Sequence, residues 1–132
     1  MAGNTDVLRE GYAAYGRGDL DAAMENWSDD IRWENPNAEQ LPYPGVTEGK
    51  DSVREILADF PTNWDDLKVS PDEFIEQGDT VVALGHIEGR GKETGKDVKL
   101  PFVHVWRFSD GKVNRVQILT DTALAAEALG RI

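Results

Sequence analysis

The stretch that most constrains the fold of this chain spans residues 100–121 and predicts a β-hairpin. Two runs rich in β-branched and aromatic residues flank the turn sequence Ser-Asp-Gly-Lys at 109–112, and an Asp-Gly pair between such runs is a strong hairpin signal. Because strand side chains alternate between faces, one face of the first run carries three aromatic residues and one histidine. These are Phe102, His104, Trp106 and Phe108. Such a face either fills a core or lines a cavity that contains one polar group, and the pattern leaves both open.

The composition predicts a globular protein that folds as one domain over residues 1–132. Hydrophobic residues make up 39% of the chain and charged residues 30%, which is typical of folded proteins, and the length suits one domain with its own core. The chain has no cysteine, which excludes a disulfide framework, a thiolate nucleophile and a Cys-ligated zinc site. The two histidines lack metal-ligand spacing, so neither a metal nor another cofactor is predicted.

The charge and the first residues of the chain limit its expected partners. A net charge of −11 repels phosphate backbones, so nucleic-acid binding is not predicted. The first ten residues lack a basic region followed by an apolar run, and no apolar stretch approaches the roughly 20 residues of a membrane span. We therefore expect a cytoplasmic protein without a membrane partner.

The remaining pattern predicts helices that precede an antiparallel sheet. Apolar residues at helical spacing predict helices over 5–15, 19–27 and 49–60, the third ended by Pro61. A turn at 28–30 precedes predicted strands over 31–35, 67–69, 74–75 and 80–89, and the last of these pairs with the hairpin across a turn near 93–96. A loop is predicted over 36–45, and a short helix or tail over 122–129. Helices segregated from an antiparallel sheet make an α+β fold.

Four segments together carry a family resemblance over essentially the whole chain. They are Tyr-Ala-Ala-Tyr-Gly-Arg-Gly-Asp-Leu-Asp at 12–21, Trp-Ser-Asp-Asp-Ile-Arg-Trp-Glu-Asn-Pro at 27–36, Gly-Lys-Asp-Ser-Val-Arg-Glu at 49–55, and His-Val-Trp-Arg-Phe-Ser-Asp-Gly-Lys-Val at 104–113 with Thr-Asp-Thr-Ala at 120–123. They resemble the NTF2-like superfamily, and within it the SnoaL-like and ketosteroid-isomerase-like group. The resemblance implies a cone in which three N-terminal helices pack on a curved antiparallel β-sheet and enclose a pocket. Because this group includes isomerases, cyclases, hydrolases, dehydratases and non-catalytic domains, fold does not give function.

The residues that carry ketosteroid isomerase chemistry in this group differ here. The family's Asp-Pro base position matches Asn35, followed by proline, and an amide does not take up a proton at neutral pH. The family's oxyanion tyrosine matches Gly11, although Tyr12 and Tyr15 are close, and its oxyanion aspartate matches His104. True ketosteroid isomerase activity is therefore not expected.

Three residues are candidates for acid/base chemistry or for orienting a substrate. His104 is a candidate proton carrier, because a buried histidine titrates near neutral pH, although it can equally serve as a core residue bonded to a neighbouring carbonyl. Asp121 matches a C-terminal carboxylate that acts as acid/base in SnoaL-like cyclases, and it can instead cap the terminal helix. Asn35 is predicted to orient the substrate. If the long hairpin turns symmetrically near Gly95, His86 lies opposite His104, whereas a shift of one residue would separate them.

These patterns predict a small-molecule pocket protein, with a cofactor-independent acid/base enzyme of isomerase, cyclase, dehydratase or hydrolase type as the first interpretation. A non-catalytic ligand-binding or dimerisation domain is the alternative. A homodimer is expected because Val103, Val105 and Leu119 make the outer sheet face apolar. The predicted pocket wall for a small, mostly apolar molecule consists of Tyr12, Tyr15, Trp33, His86, Phe102 and Trp106.

Overall fold

The computed structural model describes residues 3–35 and 39–132. Its helices are α1 (Asn4–Gly16), α2 (Leu20–Ala23), α3 (Lys50–Asn63) and α4 (Thr122–Ala128). Its strands are β1 (Trp27–Glu34), β2 (Val46–Glu48), β3 (Trp64–Gln77), β4 (Thr80–Gly91), β5 (Asp97–Ser109) and β6 (Lys112–Thr120). Of the predicted loop over 36–45, residues 36–38 lie outside the described residues.

The six strands form one sheet in the order β2-β1-β6-β5-β4-β3. All neighbouring pairs are antiparallel except β1 and β6, which run parallel. Register shifts interrupt the pairing of β1 with β6, of β3 with β4 and of β5 with β6, and such irregularities bend strands and increase their twist. The predicted α+β fold with helices packed on a curved sheet is confirmed.

The predicted hairpin and its inward face are also confirmed. In the turn between β5 and β6, Asp110 and Gly111 have φ values of 52° and 78°, the left-handed conformation that an Asp-Gly pair accommodates in a tight hairpin turn. The predicted aromatic face is buried throughout. On the opposite face, Val103 and Val105 are half-buried and Leu119 on β6 is 57% exposed.

Two predicted element boundaries on the N-terminal side are wrong. The second helix ends at Ala23, and Trp27 starts β1, so that the predicted turn at 28–30 lies inside this strand. Trp27 is buried in the strand, with its ring 5.2 Å from that of Trp33. Apolar spacing alone indicates only that this residue is buried, and a buried residue fits a helix or a strand. The third helix continues past Pro61, and the Trp64 N–H closes it by donating to the carbonyl of Phe60.

The strand segments predicted at 67–69 and 74–75 belong to the single long strand β3. Its pairing with β4 shifts between Asp65 and Lys68 and again between Pro71 and Glu73. A bulge accommodates a proline that cannot donate to the ladder. The strand therefore continues across a position at which the sequence predicts an interruption.

The core consists of two hydrophobic clusters. The larger one lies between the sheet and helices α1 and α3, and it includes Leu8, Ile31, Val53, Trp106 and Val116. The smaller one packs α4 against the N-terminal parts of β3 and β5. It includes Leu41, Trp64, Leu100, Ala125 and Leu129. The tip of the β4–β5 hairpin holds α4 in place, because the Thr94 hydroxyl donates to the carbonyl of Ala128.

Candidate functional site

A cavity of about 170 Å³ lies between the helices and the inner face of the sheet. Its walls come from both hydrophobic clusters, and every tryptophan of the chain borders it. Side chains on the wall include Tyr12 and Tyr15 of α1, Trp33 of β1, Leu57 of α3, His104 and Trp106 of β5, Ile118 of β6 and Ala125 of α4. The cavity is larger than the roughly 150 Å³ of an apolar protein cavity that binds benzene, so it has room for at least one aromatic ring.

A chain of two hydrogen bonds crosses one wall of this cavity. The Nδ1 atom of His104 lies 2.6 Å from the hydroxyl oxygen of Tyr12, and the Nε1–H of Trp106 donates to the same oxygen at 2.9 Å. The ring of Phe102 stacks on the imidazole with centroids 3.9 Å apart. His104 is thus held by one hydrogen bond and one stacked ring, and its Nε2 atom, on the other side of the imidazole, has no hydrogen-bond partner among the described residues.

Burial keeps the ionisable groups of this wall uncharged. It lowers the pKa of His104 from its ordinary value of 6.5 to about 3, because a charged imidazolium is poorly solvated there. It raises the pKa of Tyr12 well above the ordinary value of 10.0, and the hydrogen bond from Trp106 opposes this only in part. Burial also raises the pKa of Tyr15. At neutral pH these three side chains are therefore neutral hydrogen-bonding groups.

Two further polar atoms of the wall are buried without partners among the described residues. They are Nε1 of Trp33 and Nδ2 of Asn35. The register brings Trp33 beside Val116 of β6, which in turn pairs with Trp106 of β5. Both orphaned atoms belong to N–H groups, which can only donate. The structure thus brings Asn35, Trp33, Trp106, Tyr12 and His104 to the same cavity, and the roles that the sequence assigns to them there stay predictions.

The prediction that His86 faces this cavity is wrong. His86 pairs with Pro101, and His104 pairs with Ala83. His86 therefore lies on the opposite face of the sheet, where its Nδ1 atom is 3.0 Å from Oδ2 of Asp72. The hairpin is centred between residues 93 and 94, since Arg90 pairs with Asp97. The residue opposite His86 is therefore Pro101 instead of the predicted His104, a shift of three residues in the pairing. Any odd shift moves a strand residue to the other face.

Asp121 and Phe102 also differ from their predicted roles. Asp121 is the N-cap of α4, and its Oδ1 atom accepts a hydrogen bond from the Leu124 N–H at 3.0 Å. It is not among the described residues of the cavity wall, so its predicted acid/base role has no geometric support. Phe102 supports the imidazole of His104 and is likewise absent from the described wall. Its ring fits because residue 85 is glycine: a Cβ there would come within 2.8 Å of it.

The wall also contains residues that the sequence predicts only in part or not at all. Ile118 belongs to an inward pair with Val116 that alternation along β6 indicates. Ala125 and Trp64 lie at the cavity in the hydrophobic cluster that α4 forms with β3 and β5. This packing joins distant parts of the chain, and no local sequence pattern indicates it. Glu10 and Glu25 also border the cavity, and both are exposed.

A profile of the SnoaL-like domain family matches residues 8–116. The chain belongs to this family, within the NTF2-like superfamily. No curated protein matches the chain. Within the described ranges, no helix is long and apolar enough to cross a membrane.

Solved structures show the same fold over nearly the full length of this SnoaL-like chain. An NTF2-like protein of unknown function from Burkholderia pseudomallei K96243 is 33% identical, with 98% of each chain covered and a TM-score of 0.89. An NTF2-like protein from Burkholderia thailandensis E264 is 30% identical, again with 98% of each chain covered, at a TM-score of 0.88. TerC, co-crystallised with polyporic acid, is 30% identical over 96% of this chain and 98% of its own, at a TM-score of 0.87.

Proposed function

We propose that this SnoaL-like protein binds a small, mostly apolar molecule in the cavity and acts on it by cofactor-independent acid/base chemistry. The reaction would be of isomerase, cyclase, dehydratase or hydrolase type. The observation that carries the proposal is the combination of an apolar, ring-sized cavity with one buried imidazole on its wall, held in place by Tyr12. Apolar cavities with a few fixed polar groups are the usual form of small-molecule sites.

The cost of this arrangement supports a role for His104 beyond packing. Burying an imidazole lowers its pKa to about 3, which means that the native state stabilises only its neutral form. Unpartnered donors on Trp33 and Asn35 add a further cost. Polar groups whose burial destabilises the native state, and which converge on an apolar cavity, are typical of sites that bind or transform a ligand. The structure of the 30% identical TerC with polyporic acid supports a small molecule as the occupant.

A specific observation favours the alternative, a non-catalytic ligand-binding domain. A general base works best when its pKa lies near the working pH, and that of His104 is far lower. The exposed Glu10 and Glu25 are the carboxylates among the described residues of the wall. Binding and catalysis therefore need separate tests.

Binding can be tested by titrating the protein with polyporic acid and with indane in a calorimeter. The matched variants are Ile118→Phe, which fills the cavity, and Leu119→Phe, which adds the same ring to the outer face. We expect saturable binding to the wild type and to Leu119→Phe, and weaker binding to Ile118→Phe. Equal affinity for both variants would place the ligand outside the cavity.

Catalysis can be tested by the exchange of protons next to the carbonyl of 1-indanone in heavy water, followed by NMR. An acid/base site that polarises a carbonyl accelerates this exchange. We expect acceleration by the wild type and loss of it in His104→Phe. Binding of 1-indanone without acceleration would support the non-catalytic alternative.

A further inference from the structure

The order of protons along the hydrogen-bonded chain Trp106–Tyr12–His104 can be worked out from the donor capacity of each group. An indole N–H only donates, so the Tyr12 oxygen accepts from Trp106. A phenol has one proton to donate. Within the part of the chain that the structure describes, the other partner of the Tyr12 hydroxyl is Nδ1 of His104, at 2.6 Å.

Two proton orders are compatible with these distances, and they differ in how many polar groups they leave unpaired. If Tyr12 donates to Nδ1, one group stays without a partner among the described residues, the Nε2–H of His104, and this side chain lines the cavity. If Nδ1–H donates to Tyr12 instead, the phenol oxygen accepts twice, and two groups stay without partners in the described structure, the phenol proton and the bare Nε2 of His104. Because each unpaired buried polar group destabilises the native state, the first order, which leaves one instead of two, is favoured.

We propose that Trp106 and Tyr12 hold His104 as the tautomer that carries its proton on Nε2, so that the cavity recognises a hydrogen-bond acceptor, such as the carbonyl oxygen of an apolar ketone. The ligand class in this inference rests on the proposed function, whereas the tautomer does not. His104 then acts on a ligand as a neutral donor that polarises a carbonyl, a role that uncharged imidazole can fill. In this role it does not act as the proton carrier that the sequence predicted.

The other buried N–H groups of the wall favour the same ligand class. Trp33 Nε1 and Asn35 Nδ2 lack acceptors in the described structure. A ligand that brings acceptor atoms can satisfy such groups, whereas a ligand that brings only donors leaves them unpaired. Burial, which keeps His104 uncharged at neutral pH, means that recognition does not need an anionic ligand.

The tautomer can be measured without any ligand by ¹⁵N NMR of the imidazole nitrogens. Couplings from the ring-carbon protons show which nitrogen carries the proton, and His86→Asn assigns the signals because the chain has two histidines. We expect a protonated Nε2 and a bare Nδ1 in the wild type. In Tyr12→Phe the donor to Nδ1 is gone and the preference should weaken. The control Phe102→Leu changes a neighbouring ring but no hydrogen bond, and should keep the wild-type pattern. A protonated Nδ1 in the wild type overturns the inference.

The ligand class can be measured with 1-indanone, which carries an acceptor, and indane, which has the same rings without one. The ratio of their dissociation constants in each protein cancels most differences in hydration between wild type and variant. Loss of one hydrogen bond should raise this ratio, indanone over indane, about tenfold in His104→Phe. An unchanged ratio overturns acceptor recognition by His104. If neither compound binds the wild type, the proposed function fails for this ligand class, and the NMR result still decides the tautomer.

Discussion

His104 is buried and neutral, so we expect the protein to lose stability as the pH is lowered. This loss should occur at pH values well above the range in which carboxylates usually titrate. In the unfolded chain the imidazole takes up a proton below its ordinary pKa of 6.5, whereas in the native protein it does so only near 3. Between these values protons bind the unfolded state preferentially. Stability is therefore fully present above about pH 6.5 and decreases progressively until the pH reaches the native pKa.

The size of the loss between pH 7 and pH 5 follows from this difference. A pH of 5 lies 1.5 units below the pKa of 6.5 of the unfolded imidazole, which is therefore almost fully protonated, whereas the native imidazole remains neutral. At about 1.36 kcal/mol per unit, the free energy of unfolding should fall by about 2 kcal/mol through this residue alone. His104→Phe lacks the titrating group and should not show this component.

The assay is urea unfolding followed by circular dichroism at both pH values, at one fixed protein concentration. The quantity compared is the change in the free energy of unfolding between the two pH values in the wild type, minus the same change in His104→Phe. The carboxylates contribute to both changes and cancel. Tyr12→Phe serves as the control, since it alters the partner and keeps the imidazole, and it should retain most of the wild-type pH dependence. If wild type and His104→Phe lose the same free energy, His104 is not a buried neutral histidine.

Three further predictions test other parts of the structure. Asp121→Ala should destabilise the protein by about 1 kcal/mol through loss of the cap on the Leu124 N–H, with unchanged ligand affinity per folded molecule; a selective loss of affinity or activity would restore an acid/base role. Gly85→Ala should cost about 1–3 kcal/mol, measured by the urea midpoint, because its Cβ would lie 2.2 Å from a backbone oxygen and 2.8 Å from the Phe102 ring; an unchanged midpoint would contradict this packing. Light scattering should give about twice the chain mass of 14.6 kDa, and Leu119→Lys should shift the protein towards the monomer; a wild-type monomer at micromolar concentration would refute the dimer.

Local signals predicted the parts of the site that depend on neighbours in sequence. The inward face with His104 and Trp106 follows from alternation along one strand, and the turn that orders it follows from an Asp-Gly pair. The position of Asn35 at the cavity follows from the strand that it extends. These inferences needed no knowledge of what packs against the strand.

Features that depend on register or on distant contacts were not predictable in this way. The β4–β5 connection holds glycines at both 91 and 95, so the sequence does not specify where the chain reverses, and His86 changes face with that choice. The hydrogen bond of Tyr12 to His104 joins residues 92 positions apart. The sequence placed both residues at the pocket, but only the structure shows that one fixes the proton of the other.

The distribution of the tryptophans makes the intrinsic fluorescence of this protein a direct probe of its cavity. All four indoles border the cavity, and three of them lie within 6.1 Å of one another between ring centroids. Intrinsic emission therefore carries no background from indoles elsewhere, and any occupant that displaces water or quenches fluorescence acts on the whole signal. Single replacements by phenylalanine, taken in turn, would locate an unlabelled occupant along the cavity, with Trp64 reporting from the end covered by α4 and Trp33 from the end near Asn35.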